Sequence, residues 1–149
     1  MIKVKVSRLN KQALIPSYMS SGAAGCDVHA CLDHALMIKP GERHAVPTGL
    51  SVEIPEGYEI QVRPRSGLAF KKGLTVINAP GTIDSDYRGE IKVLVVNLGS
   101  ENVEVAPQDR IAQLVLQKVD QIQWQETETL NSTERGTGGF GSTGVTAPN

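Results

Sequence analysis

Asp84, Asp86, Tyr87 and Arg88 are crowded into the segment Gly81-Thr82-Ile83-Asp84-Ser85-Asp86-Tyr87-Arg88-Gly89-Glu90. Carboxylates, a phenol and a guanidinium on so short a stretch can orient water, pack a sugar or bind an anion. The segment lies between two apolar runs, Leu74-Thr75-Val76-Ile77 and Ile91-Lys92-Val93-Leu94-Val95-Val96. Both runs are short, β-branched and bounded by Gly, Pro and Asn, so both read as strands. Ionisable groups on a loop held by two strands suggest a site on a rigid scaffold. Taken alone, the pattern also fits a solvated hairpin turn.

Two further segments carry complementary chemistry. Pro64-Arg65-Ser66-Gly67-Leu68-Ala69 presents a guanidinium, a hydroxyl and a glycine amide in sequence. That set suits phosphate, with Arg supplying charge and fork geometry and Ser and Gly supplying short hydrogen bonds. Asp109-Arg110-Ile111-Ala112-Gln113 adds a cation and a neutral amide, although Asp109 and Arg110 also fit a structural ion pair. Near the C-terminus, Arg135 and Phe140 flank the glycines of Arg135-Gly136-Thr137-Gly138-Gly139-Phe140-Gly141-Ser142-Thr143-Gly144. A lone Phe in such a segment has no core of its own. A mobile arm closing over a ligand would use both its ring and the arginine's charge. Gly136, Gly141 and Thr143 match a Walker A loop, but Ser142 stands in place of its lysine and no helix-length sequence follows. A P-loop NTPase is excluded, while the ability of glycine amides to approach phosphate closely remains.

The elements that must position these groups are β-rich. Strands are expected at 2–8, 26–32, 43–54, 58–63, 74–78, 91–98, 102–105 and 110–119, with one short helix around 67–72. Lys39-Pro40-Gly41, Pro55-Glu56-Gly57, Pro80-Gly81 and Leu98-Gly99-Ser100 mark turns. Many short strands with 15 Gly and 8 Pro indicate an all-β sandwich or barrel. No internal repeat is present. Composition changes near Gln125, which divides the chain into a β domain, 1–124, and a glycine-rich arm, 125–149.

At 149 residues the chain fits one domain with a proper core. A net charge of −1 argues against a general nucleic-acid binder, which would show a basic excess. No apolar stretch approaches the roughly 20 residues that span a bilayer, so no membrane partner is expected. The alternating start Met1-Ile2-Lys3-Val4-Lys5-Val6 reads as a strand and not as a signal peptide, which makes the cytoplasm the expected compartment. Cys26 and Cys31 are too few for a disulfide framework and are expected as reduced thiols. Cys26, His29, Cys31 and His34 could all ligate zinc. Strand alternation, however, would put Cys26 and His34 on one face and His29 and Cys31 on the other. Their spacing also fits no common finger pattern.

Five ordered segments together resemble the five motifs of the trimeric dUTP pyrophosphatases (dUTPases). They are Ala24-Gly25-Cys26-Asp27-Val28, Pro64–Ala69, Gly81–Glu90, Asp109–Gln113 and Arg135–Gly144. The resemblance covers nearly the whole chain. It departs from the family at Cys26, where an aromatic is frequent, and at Gln108, where a glycine is common; both bear on local packing.

The resemblance implies a jelly-roll-like β-clip fold with a flexible C-terminal arm. It also implies Mg²⁺-dependent hydrolysis of dUTP to dUMP and pyrophosphate. That activity would lower dUTP, keep uracil out of DNA and supply dUMP for dTMP synthesis. Asp84 matches the carboxylate that activates water for attack on the α-phosphorus. Ser66 and Gly67 would hold phosphate oxygens near the scissile bridge, and Arg65 and Arg135 would balance charge toward the γ end. Gln113 would bond a phosphate or a metal-bound water. Asn78 and the backbone of Thr82 and Ile83 would read the base edge. Tyr87 would pack under the deoxyribose, Lys92 would line the same pocket, and Phe140 would stack over uracil. Asp27 matches an acid near the metal's water shell, although a purely hydrogen-bonding role is equally open to it. Family members are homotrimers whose arms reach a neighbouring subunit. A dCTP deaminase, with Glu90 as the nearest water-activating acid, and a non-catalytic nucleotide-binding protein are the competing readings.

Overall fold

The computed structural model describes residues 1–142. Eleven strands and one helix occur among them: β1 (Lys5–Arg8), β2 (Cys26–His29), β3 (Leu36–Ile38), β4 (Arg43–Pro47), β5 (Leu50–Glu53), β6 (Tyr58–Arg63), α1 (Ser66–Lys72), β7 (Leu74–Val76), β8 (Gly81–Ile83), β9 (Lys92–Asn97), β10 (Val103–Val105) and β11 (Arg110–Lys118). All ladders are antiparallel. The main sheet runs β2-β11-β6-β8, and the facing sheet runs β4-β9-β7; β1-β5 and β10-β3 form two smaller ribbons. This is the jelly-roll-like all-β class expected.

Alternation builds the core. In β9, Val93 and Val95 are buried, whereas Lys92 and Leu94 point outward. Val28, Ile38, Val46, Leu50 and Val105 join them with no solvent exposure or almost none. Two polar residues are buried with them as structural ties. Thr48 donates its hydroxyl to Ile91 O at 2.6 Å. Asn97 donates its Nδ2 to Ile38 O and Glu101 O and accepts the Gly99 N–H.

Several expected boundaries are corrected. The run 43–54 is two strands, because Gly49 takes φ +65° and turns the chain between them. The strand expected at 26–32 ends at His29, so the alternation argument for the four Cys and His residues does not reach Cys31 or His34. Both cysteines are free. The loop between Ile77 and Ile91 is not a simple hairpin turn. β7 and β9 pair with each other, but β8 between them crosses to pair with β6 in the other sheet. The candidate loop therefore ties both sheets together. After β11, residues 119–142 contain bends and turns only.

Candidate active site

The candidate residues gather in two places. The first is a cleft of about 360 Å³ at the β8 edge of the main sheet. Asn78, Thr82, Ile83, Asp84, Tyr87 and Lys92 line it, together with Val62, Gly81, Glu90, Ile91 and Leu94. Its wall is shaped by a missing side chain: a Cβ on Gly81 would stand 3.0 Å from Asn78 Nδ2 and 3.2 Å from Val62 Cβ. Asp84 sits on the rim. It also lines a wider neighbouring cleft of about 890 Å³ with Glu59, Asp86 and Arg88. The loop that carries Asp84 is held by its own hydrogen bonds. Arg88 Nη1 donates to Ser85 O at 2.7 Å and to Tyr87 O at 3.0 Å, and Tyr87 N–H donates to Asp84 O at 3.2 Å. Arg88 is thereby engaged in loop shape.

The second place is a cation cluster at the β2 edge, centred on Asp27. This carboxylate is 2% exposed. Arg110 Nη1 donates to its Oδ2 at 3.0 Å, and Gln113 Nε2 to its Oδ1 at 3.1 Å. Arg65 Nη2 lies 3.7 Å from Oδ2 and its Nη1 donates to Arg110 O. Asp27 thus accepts hydrogen bonds from two side chains in the cluster. Asp109 does not pair with Arg110; its Oδ2 accepts the Ala106 N–H. Arg65, Arg110, Lys72, Glu104 and Asp109 line a cleft of about 210 Å³ beside the cluster. Ser66 and Gly67 are exposed at the first turn of α1. The helix's own bonds begin with Leu68 and Ala69, both donating to Arg65 O, which leaves the Ser66 and Gly67 amides outside that pattern.

A bulge makes this cluster possible. Arg110 and Gln113 are three apart and would face opposite sides of a regular strand. The β2–β11 register shifts between Arg110 and Ala112, so Ile111 is an extra residue and Arg110 returns to the face of Asp27. His29, opposite Arg110, lies nearby with its Nδ1 buried and unpartnered among the described residues. Burial holds its pKa below the usual imidazole value, against the opposing pull of Asp27.

The two places do not meet along the sheet. β2 and β8 are its opposite edges, three strand spacings or about 14 Å apart. Arg135 and Phe140 join neither. Arg135 Nε donates to Gly138 O at 2.8 Å, and Phe140 is fully exposed. Thr143 and Gly144 lie outside the described residues.

A family model described as dUTPase matches residues 11–144. The chain belongs to the dUTPase family. It is 57% identical over 143 residues to the deoxyuridine 5'-triphosphate nucleotidohydrolase of Nautilia profundicola, covering 96% of this chain and 99% of that protein. It is 55% identical over 145 residues to the enzyme of the same name from Fusobacterium nucleatum, covering 97% and 99%. Among solved structures it is similar to the Staphylococcus bacteriophage 80alpha dUTPase with dUPNHPP, with TM-score 0.80, 27% identity and coverage of 96% and 99%. A mutant dUTPase from S. aureus phage phi11, described with a structural Mg(II) ion, shares the fold at TM-score 0.75 and 22% identity, covering 85% and 97%. The activity is accordingly dUTP diphosphatase, a hydrolase reaction of nucleotide metabolism.

Within the dUTPase frame, both departures have a physical reading. Gln108 takes φ +65°, the left-handed region where a glycine carries no strain. Cys26 lines an apolar groove with Tyr18, and the neighbouring thiol holds the Tyr18 hydroxyl above its usual pKa. The competing deaminase role for Glu90 finds no support: its Oε1 accepts the Gly49 N–H at 2.9 Å, and Lys92 Nζ lies 3.8 Å from its Oε2. Arg110 was legible only as an additional cation, because strand alternation misplaces it. The bulge that redirects it leaves no clear mark in the sequence.

Proposed function

We propose that the cleft at β8 holds the uracil and deoxyribose of dUTP, with Asp84 on its rim activating water for attack on the α-phosphorus. The observation that carries this is the meeting of Asn78, Tyr87 and Asp84 in one cleft, which Thr82 and Ile83 of the edge strand β8 also line. Asn78 and the main chain of Thr82 and Ile83 read the base edge, where an incorrect pattern leaves buried groups unpaired. Tyr87 packs beneath the sugar and rejects a 2'-hydroxyl. Lys92 lines the pocket.

Arg65, Ser66, Gly67 and Gln113 take the triphosphate, with Asp27 fixing Arg65 and Gln113 from behind. Asp84 accepts a proton from the attacking water and keeps it in line. Most of the rate then comes from positioning and charge neutralisation. Pyrophosphate leaves and dUMP remains, which lowers dUTP, keeps uracil out of DNA and supplies dUMP for dTMP synthesis.

The residues fit a divalent metal that arrives on the triphosphate. No group of three or more His, Cys, Asp or Glu is arranged to hold a metal among the described residues. Gln113 gives its amide N–H to Asp27, which leaves its carbonyl oxygen for a metal-bound water. Asp27 stands behind it, one step further from the ion. Mg²⁺, which keeps several waters and prefers phosphate oxygens, would neutralise charge on the triphosphate there.

The separation of the two clusters supports a site shared between chains of a homotrimer. So do the exposed Ile122, Trp124, Leu130 and Phe140, strung along a segment with no core of its own. Residues 1–124 form the β domain in this reading. Residues 125–149, of which 143–149 lie outside the described residues, act as an arm that brings Arg135 to the phosphates and Phe140 to the base of a neighbour's site. The expected partners are dUTP and two further copies of this chain, with no nucleic acid or membrane, and the expected compartment is the cytoplasm. No helix of the described residues is long and apolar enough to cross a membrane.

Asp84→Asn tests the chemistry. It should bind dUTP normally and lose turnover by about three orders of magnitude; retained turnover would refute the water-activating role. Pyrophosphate release from dUTP, dCTP, dTTP and UTP, with ammonia followed in parallel, tests the pocket. Release from dUTP alone is expected.

A further inference from the structure

Tyr87 does not hold its own position. Its ring folds back over Gly89, where an added Cβ would stand 2.6 Å from Tyr87 Cζ. Its hydroxyl donates to the main-chain oxygen of Glu90 at 3.0 Å. The place of the ring therefore depends on where residues 88–91 are fixed.

Those residues are fixed by the turn between β4 and β5. Ser51 Oγ donates to Arg88 O at 2.6 Å. Gly49 N–H donates to the Glu90 carboxylate at 2.9 Å. Ile91 N–H donates to Leu50 O at 2.8 Å, and Thr48 Oγ1 donates to Ile91 O at 2.6 Å. The turn itself has little room to move. Gly49 is wedged so that a Cβ would lie 2.9 Å from both Ala13 Cβ and Cys31 Sγ, and its carbonyl accepts the Leu9 N–H at 2.8 Å.

We propose that Glu90 is a positioning residue for sugar selectivity. Its carboxylate locks the Tyr87–Ile91 strip to the Thr48–Ser51 turn, and the ring can exclude a 2'-hydroxyl only while that strip is held. This rests on the reading of Tyr87 as the residue beneath the deoxyribose. Rejection of a slightly larger substrate depends on a wall that does not yield. A ring on a loosened strip gives way and admits the ribonucleotide.

The test is steady-state hydrolysis of dUTP and UTP by full-length Glu90→Ala, Glu90→Gln, Ser51→Ala and Tyr87→Ala variants. Glu90→Ala should lower the dUTP-to-UTP ratio of kcat/KM by about tenfold, the scale of one lost charge-assisted hydrogen bond. Glu90→Gln keeps a side-chain oxygen for the Gly49 N–H and should restore most of the ratio. A general loss of structure would lower both substrates together and would not be rescued in this way. An unchanged ratio in folded Glu90→Ala, or an equal loss in Ala and Gln, overturns the proposal. Should Glu90→Ala fail to fold, Ser51→Ala decides, since it cuts the adjacent tether; an unchanged ratio there overturns the brace. If Tyr87→Ala keeps the parent ratio, the sugar reading fails and the brace with it. If Tyr87→Ala loses selectivity and Glu90→Ala does not, the brace alone fails.

Discussion

Asp27→Asn separates an anchoring role for this carboxylate from a metal-linked one. The substitution keeps the shape and one acceptor for Gln113 Nε2, but removes the charge that Arg110 meets at 3.0 Å and Arg65 at 3.7 Å. Removing one partner of a fully buried ion pair costs about 3–5 kcal/mol. Here the cations are partly open to water, with side-chain exposures of 43% for Arg110 and 27% for Arg65, so solvent recovers part of that loss. Replacing one charge-assisted hydrogen bond by a neutral one leaves a deficit of about 2 kcal/mol. In a 149-residue chain this lowers Tm by about 4–8 °C. The same deficit, expressed in the placement of Arg65 and Gln113, lowers kcat/KM for dUTP by up to about 30-fold. Thermal melting at fixed protein concentration and pyrophosphate release at saturating Mg²⁺ measure the two effects. Excess Mg²⁺ should rescue neither. An unchanged Tm with activity restored by added Mg²⁺ would refute the anchor argument and return Asp27 to the metal's water shell.

Three further outcomes are expected. His29 has its pKa held low by burial, so the unfolded chain takes up the proton first; stability is fully present above the unfolded value near 6.5 and declines as pH falls through it. Melting curves from pH 7.5 to 5 should show that decline, and His29→Leu should flatten it. Asn97→Ala deprives Ile38 O, Glu101 O and the Gly99 N–H of their side-chain partners at a fully buried position, so urea unfolding should report a loss of about 2–4 kcal/mol. Truncation after Glu134 removes Arg135 and Phe140 while leaving every described strand intact. Circular dichroism should be unchanged and dUTP turnover should drop about 100-fold, and normal turnover by the shortened chain would remove the arm from the site.

What was legible in the sequence follows a physical division between local pattern and tertiary pairing. Strand β6 was expected at 58–63 and is found there, because Tyr58-Glu59-Ile60-Gln61-Val62-Arg63 alternates cleanly and is bounded by Gly57 and Pro64. β3 was not expected. Leu36-Met37-Ile38 is too short to show a period, and its pairing with β10 comes from a partner more than sixty positions away. β8 was taken as part of a loop, since Gly81 and Thr82 carry turn chemistry and only β6 makes them a strand. The candidate residues themselves were easier to find than the elements bearing them. Asp84, Tyr87 and Asn78 stand out by type and order, whereas the cleft they share depends on how two sheets meet.

The β2–β11 bulge shows where one-dimensional reading stops. Periodicity two is a rule about regular strands, and a single extra residue inverts it for everything beyond. Applied to Arg110 and Gln113, the rule sends them to opposite faces; the bulge at Ile111 sends both to Asp27. Ile111 and Ala112 are buried in succession, but so are Leu114 and Val115 where the ladder is regular, so it is the register shift and not the burial that marks the bulge. A site residue assigned by parity alone is therefore placed correctly only where the ladder keeps its register. In this chain that correction is what converts Asp27 from an isolated acid into the centre of a cluster with two donors, Arg110 and Gln113, and a third cation, Arg65, at 3.7 Å.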